Sequence, residues 1–427
     1  MKKITITGTK GKTTVSSILA LVLGCSENTV LNVNTVGVYV NGNLIVDRVT
    51  SQLIWGIVPT IAPGRFLYLL HDMDISANKD RNFEGVNGVA ILEASLGCST
   101  LSGLGYNSHD VGIFINVFED HLGSRSDLNT RDDIGKSKSF VFSRIKRGGY
   151  AVFNADDDVV CANLCKCKKG VNLIPFGVNF DYFDIEKHLR NNGVALTIKD
   201  QDVILMHGTG IEKLFCFSDI TWMFNGLFLP SIYNLLAIVG ALIGYNDGFI
   251  STELINAVCN SKLDPYGGRL TILESDNGVK LITDYAHEKV SLSEIAKLAN
   301  KLTDANGRVI GVIRLAYDRT DELIIETGEV IATFYDDIIV YDKIDGYFRK
   351  AQQKVGRFKQ VEGRTSEMLF NAIVKTNKNV TRVVREDEAI MFANKIAKPG
   401  DVVVIIVNDN IDRSIGFIKD IFKAKFV

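Results

Sequence analysis

The chain has no excess of charge of either sign, and this absence limits what it can bind. Its 427 residues include 48 lysines and arginines against 50 aspartates and glutamates, for a formal net charge of -2. Proteins that hold nucleic acid or a membrane surface by bulk electrostatics are more strongly basic, so we expect neither partner. The composition, 46% hydrophobic and 23% charged, is that of a globular protein with room for two or three domains.

The sequence also lacks a secretory leader, a membrane-spanning run and a disulfide framework. The apolar stretch at 15–23 is too short to cross a bilayer. The 7 cysteines are odd in number and scattered, which is typical of free thiols in a reducing compartment. The cluster of Cys161, Cys165 and Cys167 lacks zinc-site spacing, which favours ordinary thiols over a metal site. We therefore expect a cytoplasmic protein without a membrane span.

Strand and helix patterns alternate along nearly the whole chain, which predicts an α/β fold. A helix pattern at 231–243 has few polar residues and is expected to be buried. Residues 176–220 are irregular, with some β character. Short apolar runs that suit the buried strands of a parallel sheet lie at 89–92, 111–117 and 150–153.

Turn residues at 263–269 indicate a domain boundary, and a second αβ series starts beyond them. We predict a P-loop central domain over 1–265 with a mostly parallel sheet, followed by a smaller Rossmann-like α/β domain over 266–427. In the second domain the strand candidates are 279–284, 308–313, 337–341 and 402–407. The helix candidates are 292–302, 321–334, 366–375, 386–396 and 411–422.

A strand pattern at 2–7 leads into a glycine-bounded turn and then into an apolar helix pattern. In such a turn the backbone N–H groups face an anion, a lysine adds positive charge, and a threonine hydroxyl can hold Mg²⁺. Ile6 stands where the general phosphate-loop pattern has its first glycine, so a plain strand-to-helix turn is the alternative. The candidate loop comprises Gly8, Thr9, Lys10, Gly11, Lys12, Thr13 and Thr14.

Further polar residues follow predicted strands of the same domain, where open α/β sheets place their ligands. Glu93 ends the first apolar run, where a carboxylate is costly unless it meets a cation such as Mg²⁺. A surface glutamate is the alternative. After the next strand, Glu119, Asp120 and His121 can ligate a metal or orient a phosphate, with an ordinary loop as the alternative.

Three more candidates lie further along the chain. Lys136 and Lys138 fall on a predicted helix, whose alternative role is a solvated lysine face. At the end of the first strand of the second domain, Asp284 could bind ribose hydroxyls and His287 could approach phosphates. Arg269, just before that strand, could clamp a γ-phosphate, or could form a linker ion pair.

Taken in order, these motifs resemble those of the Mur ligase family of ATP-dependent amide ligases, over the whole chain. Within this family, the chain most resembles the C-terminal ligase half of cyanophycin synthetase. The chain matches the family's phosphate loop, its magnesium glutamate, its histidine segment, its adenine-contacting helix and the motifs at the start of its last domain. The matching segments are 7–14, 92–95, 116–121, 233–237, 268–269 and 284–287.

The resemblance implies ATP and Mg²⁺ as cofactors and an acyl phosphate that an amine attacks. Closure of the last domain would then exclude water from this intermediate. The implied catalytic residues are Lys12, Glu93, His121, Lys138 and His287. The implied metal ligands are Thr13, Glu93, His121 and Lys138, the last as a carbamylated lysine with Lys136 as second choice. The implied nucleotide contacts are the loop residues 8–14, Asn234, Arg269 and Asp284.

The chain departs from the family pattern at three places. Lys10 stands where the family has Asn, and Glu288-Lys289 replaces Asn-Pro or Thr-Pro. The segment 314–317 replaces a glycine-rich turn, which predicts a different incoming amine. Because the sequence starts at the phosphate-loop strand, we expect neither the UDP-sugar-binding N-terminal domain of the cell-wall enzymes nor an ATP-grasp half.

We therefore expect a ligase that joins a peptide-like carboxylate acceptor to an amino acid or short peptide. A cell-envelope peptide, such as a murein or pseudomurein precursor, is the first choice of acceptor. The second choice is an amino-acid-adding ligase of the cyanophycin type, and the third choice is one of the poly-γ-glutamate type. A non-catalytic nucleotide-binding partner subunit is the alternative of another class, and a P-loop kinase or GTPase is disfavoured by the second domain. The oligomeric state is open, a homo-oligomer included.

Overall fold

The computed structural model describes residues 1–27, 29–56, 58–68, 88–120, 122–123, 126–263, 270–316, 319–343, 363–408 and 410–427. The chain divides into two compact units. The first unit comprises Met1–Phe118 and Arg131–Leu263, and the second comprises Glu119–Thr130 and Asp264–Val427. None of the helices in the described ranges is long and apolar enough to cross a bilayer.

The first unit is built on one large, mostly parallel sheet. Its strands are β1 (Lys2–Thr7), β2 (Val30–Val33), β3 (Gly37–Val40), β4 (Asn43–Asp47), β5 (Val89–Glu93), β6 (His109–Phe114), β7 (Ile145–Asn154), β8 (Asn172–Phe176), β9 (Val194–Lys199), β10 (Asp202–His207) and β11 (Gly210–Cys216). Their order across the sheet is β11-β10-β9-β8-β7-β6-β1-β5-β2-β3-β4. The central strands pair in parallel, and antiparallel hairpins form both edges.

This strand order places β1 between β5 and β6. Ile6 of β1 is level with Glu93 of β5, and Thr7 is level with Phe114 of β6. Because the three strands are parallel, the segments that follow them meet at one edge of the sheet. Topology alone therefore brings together the loop after β1, Glu93 at the end of β5 and Asn116 after β6, all within the first unit.

Helices cover the first sheet. They are α1 (Lys12–Leu23), α2 (Arg48–Trp55), α3 (Arg131–Lys138), α4 (Phe140–Ser143), α5 (Asp158–Ala162), α6 (Ile185–Arg190), α7 (Leu229–Tyr245) and α8 (Thr252–Cys259). α7 is apolar on nearly every side and is buried, as its sequence predicts. The core combines Ile4 and Ile6 of β1 with Ile18 of α1 and Leu235 and Leu236 of α7.

The second unit is a smaller open α/β sheet of the Rossmann-like kind. Its strands are β12 (Thr271–Ser275), β13 (Lys280–Asp284), β14 (Val309–Ile313), β15 (Asp337–Val340), β16 (Val380–Arg382), β17 (Val402–Ile406) and β18 (Ala424–Phe426). The order is β16-β15-β14-β17-β13-β12-β18, parallel except where β12 pairs with its two neighbours. The helices are α9 (Lys289–Leu302), α10 (Asp321–Ile331), α11 (Arg364–Ile373), α12 (Glu386–Ile396) and α13 (Ile411–Phe422).

Helix starts in this unit are set by the side chains that precede them. Glu288 accepts the backbone N–H groups of Val290 and Ser291, so α9 begins at Lys289. Thr320 caps α10 by accepting the N–H of Leu323. Such caps satisfy N–H groups that have no partner within a helix.

Most predicted elements are present, with shifted ends. The predictions for α12 and α13 match the observed bounds, whereas the strand expected at 111–117 ends at Phe114. It ends there because the chain turns to meet the loop after β1. The irregular region 176–220 holds α6 and the antiparallel strands β9 to β11. The hairpin strands β3 and β4 were not predicted.

The prediction that the chain has no disulfide framework agrees with the structure. All seven cysteines are free thiols. Within the described residues, no group of three or more His, Cys, Asp or Glu side chains lies close enough together to hold a metal ion. Burial raises the pKa of Cys161 and of Cys167 to about 12, so both thiols are protonated at neutral pH.

Candidate functional site

The loop between β1 and α1 lies at the carboxyl end of the central strand and is held by Asn116. The Asn116 Oδ1 accepts the backbone N–H groups of Thr9 and Lys10, each at 2.9 Å. Its Nδ2 donates to the Lys10 carbonyl oxygen at 3.3 Å. α1 then begins at Lys12, with Gly11 as its N-cap. Since the first N–H groups of a helix have no partner within it, this end of α1 is suited to an anion.

Two lysine amino groups point at the same loop. Lys12 Nζ donates to the Thr9 carbonyl oxygen at 3.0 Å. Lys138, at the end of α3, is 4% exposed, and its Nζ donates to the Gly8 carbonyl oxygen at 3.0 Å. Lys136, two residues earlier, is exposed. Of the two candidates on α3, therefore, only Lys138 lies at the loop.

Glu93 is a buried carboxylate directly beside the loop. It ends β5 and is only 1% exposed. Its Oε2 accepts the Thr13 hydroxyl at 2.9 Å and the Thr35 backbone N–H at 3.1 Å, and its Oε1 accepts the Thr35 hydroxyl at 2.8 Å. These bonds offset the cost of burying the charge. They also bring one carboxylate and two hydroxyl oxygens together, which are donors that Mg²⁺ accepts.

Thr35 is the contact that sequence reasoning missed. It follows β2 in a turn in which Asn34 Oδ1 accepts the backbone N–H groups of Val36 and Gly37. A polar turn after a strand was visible in the sequence. Its contact with Glu93 depends on β2 pairing with β5, a long-range pairing that no local pattern reveals.

Asn234 lies against the loop from the other side. It is buried within α7, and a Cβ placed on Gly11 would lie 2.2 Å from its Oδ1. Gly11 also has a φ of 85°, in the left-handed region that disfavours side chains. The position therefore requires glycine for two independent reasons.

The backbone after Asn116 is held by hydrogen bonds to the side chains of Thr9 and Asp157. Phe118 donates its backbone N–H to the Thr9 hydroxyl at 2.9 Å. Val117 donates its N–H to Asp157 Oδ2 at 2.8 Å, and Arg131 pairs with Asp157 at 2.9 Å. Burial raises the pKa of Asp157, and the Val117 N–H and the Arg131 charge oppose this shift. The predicted metal ligand His121 lies outside the described residues.

In the second unit, Asp284 ends β13 and accepts the Leu270 backbone N–H at 2.8 Å. The His287 Nδ1 bonds to the Tyr285 carbonyl oxygen at 2.8 Å. Because a carbonyl only accepts, this nitrogen carries the proton. The predicted γ-phosphate clamp, Arg269, lies outside the described residues.

Asp120 is a buried carboxylate of the second unit with two basic neighbours. Its Oδ1 pairs with Arg319 Nη2 at 2.5 Å, and its Oδ2 lies 3.8 Å from His287 Nε2. Asp120 is 6% exposed and Arg319 is 2% exposed. The histidine of the 284–287 motif therefore adjoins a shielded ion pair.

A phosphate-type loop, a buried glutamate beside it and a second Rossmann-like unit define a P-loop protein of two α/β units. Two family models match this chain: the Mur ligase middle domain over residues 6–209 and the Mur ligase glutamate ligase domain over residues 268–406. The chain belongs to the Mur ligase family.

Curated relatives include the cyanophycin synthetase of Nostoc sp., 28% identical over 421 residues, covering 97% of this chain and 42% of that protein. The UDP-N-acetylmuramoyl-L-alanyl-D-glutamate--2,6-diaminopimelate ligase of Parabacteroides distasonis is 24% identical, covering 94% of this chain and 71% of that protein. The chain thus spans less than half the length of the cyanophycin synthetases that it matches.

Solved structures share the fold. E. coli FolC in complex with DHPP and ADP aligns with a TM-score of 0.62 at 17% identity, covering 98% of this chain and 88% of that one. A pseudomurein peptide ligase type C from Methanothermus fervidus aligns with a TM-score of 0.60 at 15% identity, covering 98% and 79%. At these identities the likeness establishes the fold alone.

Proposed function

We propose that this protein is an ATP- and Mg²⁺-dependent ligase that joins a peptide-like carboxylate to an amino acid, forming an acyl phosphate and releasing ADP and phosphate. The observation that carries the proposal is Glu93, buried beside the loop and bonded to the Thr13 hydroxyl at the start of α1. Cation binding explains a buried carboxylate at this position better than packing does. Family membership supports the same chemistry.

The residues present fit Mg²⁺ and a nucleotide. Mg²⁺ takes one or two protein oxygens together with water and phosphate oxygens, and Glu93 and Thr13 would supply the protein oxygens. Bound there, Mg²⁺ would neutralise charge on the transferred phosphoryl group. Fold relatives were solved with ADP and with AMPPNP and manganese, which supports ATP as the nucleotide.

The remaining roles follow from where the side chains lie. Lys12 and the N-terminus of α1 would hold the phosphates, and Asn234 would support the loop and contact the base. Lys138, in carbamylated form, and His121 would hold a second Mg²⁺. Arg269 and Asp284 would contact the nucleotide, and His287 would be catalytic. All three belong to the domain proposed over 266–427.

The acceptor that we favour is a cell-envelope peptide, a precursor of murein or pseudomurein. One relative acts in each of these two classes by its name, and the ligase of P. distasonis is covered over 71% of its length. The alternative is an amino-acid-adding ligase of the cyanophycin or poly-γ-glutamate type, which the matches to cyanophycin synthetases favour. Because ATP is made in the cytoplasm, we assign the reaction to that compartment.

The proposal is tested by phosphate release and product mass. The purified chain is given ATP, Mg²⁺, each amino acid in turn, and four acceptors: a murein peptide, a pseudomurein peptide, polyaspartate and poly-γ-glutamate. We expect phosphate release that needs both acceptor and amine, with a product heavier than the acceptor by one amino acid minus water. The acceptor that reacts identifies the substrate class.

Variants at the site separate catalysis from simple nucleotide binding. Glu93→Gln keeps the size of the side chain and should abolish the reaction, whereas Lys136→Met changes an exposed lysine and should not. ATP binding without any acceptor-dependent release across the panel would overturn the ligase and favour the nucleotide-binding partner subunit.

A further inference from the structure

Arg314 is a fully buried arginine directly after β14, with 0% of its side chain exposed. Its Nη2 donates to the Val407 carbonyl oxygen at 2.6 Å. The Nε and Nη1 atoms have no hydrogen-bond partner among the residues that the structure describes. Burying an arginine is costly unless its charge is compensated, so hydrogen bonding alone does not explain its place.

An aromatic ring supplies part of the compensation. The Arg314 Cζ lies 4.5 Å from the centroid of the Tyr285 ring, within the range of a cation–π contact. Such contacts are strongest where water is excluded. The buried charge therefore fixes one face of Tyr285.

A second cation holds the other end of the same ring. Lys343 follows β15, and its Nζ donates to the Tyr285 hydroxyl at 2.9 Å and lies 5.2 Å from the ring centroid. Lys343 is 8% exposed. Tyr285 is thus clamped by cations from two different loops at the carboxyl edge of the second sheet.

The clamp continues to His287. The rings of Tyr285 and His287 meet edge to face with centroids 5.5 Å apart. The Tyr285 carbonyl oxygen accepts the proton on His287 Nδ1 at 2.8 Å, which leaves Nε2 on the side of Asp120. Movement of Tyr285 would therefore change both the orientation and the tautomer of His287.

We propose that Arg314 and Lys343 are positioning residues that clamp Tyr285 and thereby hold His287 with its proton on Nδ1. The value of this arrangement to catalysis rests on the proposed function, in which His287 serves the reaction. The arrangement itself does not depend on the proposed function, and it can be measured in the protein without substrates.

The test uses histidine labelled with ¹⁵N in the full-length chain. There are 6 histidines, and the His287 ring signals are those missing from the spectrum of His287→Gln. At pH 8, where histidine rings are ordinarily neutral, the two ring nitrogens report which one carries the proton. We expect the Nδ1–H tautomer in the wild type and a mixture of tautomers in Arg314→Met and Lys343→Met.

Arg308 offers a matched control at the opposite end of the same strand. It pairs with Asp337 at 2.8 Å and Asp401 at 2.9 Å. Arg308→Met removes a comparable charge and should leave the His287 tautomer unchanged. Since Lys343 is less buried than Arg314, Lys343→Met tests the clamp even where Arg314→Met fails to fold.

Kinetics provide a second readout once ligation is measurable. We expect a 10- to 100-fold fall in kcat in Arg314→Met and Lys343→Met, the loss typical of a misplaced catalytic group, and less than a twofold change in Arg308→Met. An unchanged tautomer in folded Lys343→Met would overturn the clamp, whatever the ligase assay gives. A shifted tautomer in a protein without ligase activity would support the clamp and refute only the proposed function.

Discussion

Thr35 bonds to both oxygens of Glu93, through its hydroxyl at 2.8 Å and its backbone N–H at 3.1 Å. Thr35, in the turn after β2, therefore orients the Glu93 carboxylate at the end of β5. The Thr13 hydroxyl completes the arrangement at 2.9 Å. Because second-sphere contacts of this kind fix the direction of ligand oxygens, Thr35 is expected to tune cation binding at Glu93.

Thr35→Val keeps the shape and the backbone N–H but removes the hydroxyl. We expect the Mg²⁺ concentration for half-maximal phosphate release to rise about tenfold, in the range seen when a ligand loses its orienting partner. Thr7→Val is the matched control, because the buried Thr7 hydroxyl bonds to the Ala94 carbonyl oxygen at 2.9 Å. Superimposable Mg²⁺ curves for Thr35→Val and the wild type would refute this role.

Lys138→Met removes the amino group that meets the Gly8 carbonyl oxygen. We expect at least a 100-fold fall in kcat, the loss typical of removing a preorganised charged group from a site. Lys136→Met, on the same helix but exposed, should stay within twofold of the wild type. If Lys138 is carbamylated, removal of bicarbonate should slow the wild type and have no effect on Lys138→Met. Equal rates for the two variants would contradict the assignment.

Gly11→Ala should destabilise the first unit and abolish ATP binding, because the new Cβ would lie 2.2 Å from Asn234 Oδ1. We expect a loss of about 2–4 kcal/mol of unfolding free energy from strain and overpacking. Gly42→Ala has a similar φ, 79°, with nothing within 4 Å, and should cost only about 1 kcal/mol. Adding Asn234→Ala to Gly11→Ala should recover part of the loss, and simple additivity would disprove the clash.

His109 should make the first unit acid-sensitive. It is fully buried, burial lowers its pKa to about 4, and its bond to the Val141 carbonyl oxygen opposes this shift only in part. The folded state thus favours the neutral ring. Its contribution is complete above pH 6.5 and is lost as the pH falls towards 4. By linkage the loss is about 3 kcal/mol.

The measurement is urea unfolding followed by tryptophan fluorescence at pH 7 and pH 4. Both tryptophans of the chain, Trp55 and Trp222, belong to the first unit, so the signal reports that unit alone. Between pH 7 and pH 4 the free energy of unfolding of the wild type should fall by about 3 kcal/mol more than that of His109→Asn, because asparagine has no ring to titrate. Parallel losses in the two proteins would rule out His109 as the cause.

Local sequence patterns predicted the regular parts of the fold well. α12 and α13 were predicted to the residue because each has a clear apolar periodicity over eleven or twelve positions. β3 and β4 were missed, since neither short strand shows a clean alternation of buried and exposed positions: β3 is almost wholly buried, and β4 has exposed apolar residues. The loop after β1 and Glu93 were chosen as candidates because both follow strands of a parallel sheet, and their roles stay predictions.

Contacts that depend on long-range pairing could not be predicted. The Thr35 to Glu93 bonds need β2 beside β5, and the Arg314 contact with Tyr285 needs the loops after β13 and β14 to meet. Neither pairing has a local signature. A sequence pattern would also place a buried arginine at the surface, because only its tertiary partners make burial tolerable.

The grouping of Glu119–Thr130 with the second unit means that the chain passes between the units three times, after residues 118, 130 and 263. No single cut therefore yields either unit whole. A fragment starting at Asp264 would lack Asp120 and would lose its buried ion pair with Arg319. The gene segment for the second unit is thus not a portable module, and fusion or truncation of this protein has to carry the inserted twelve residues with it.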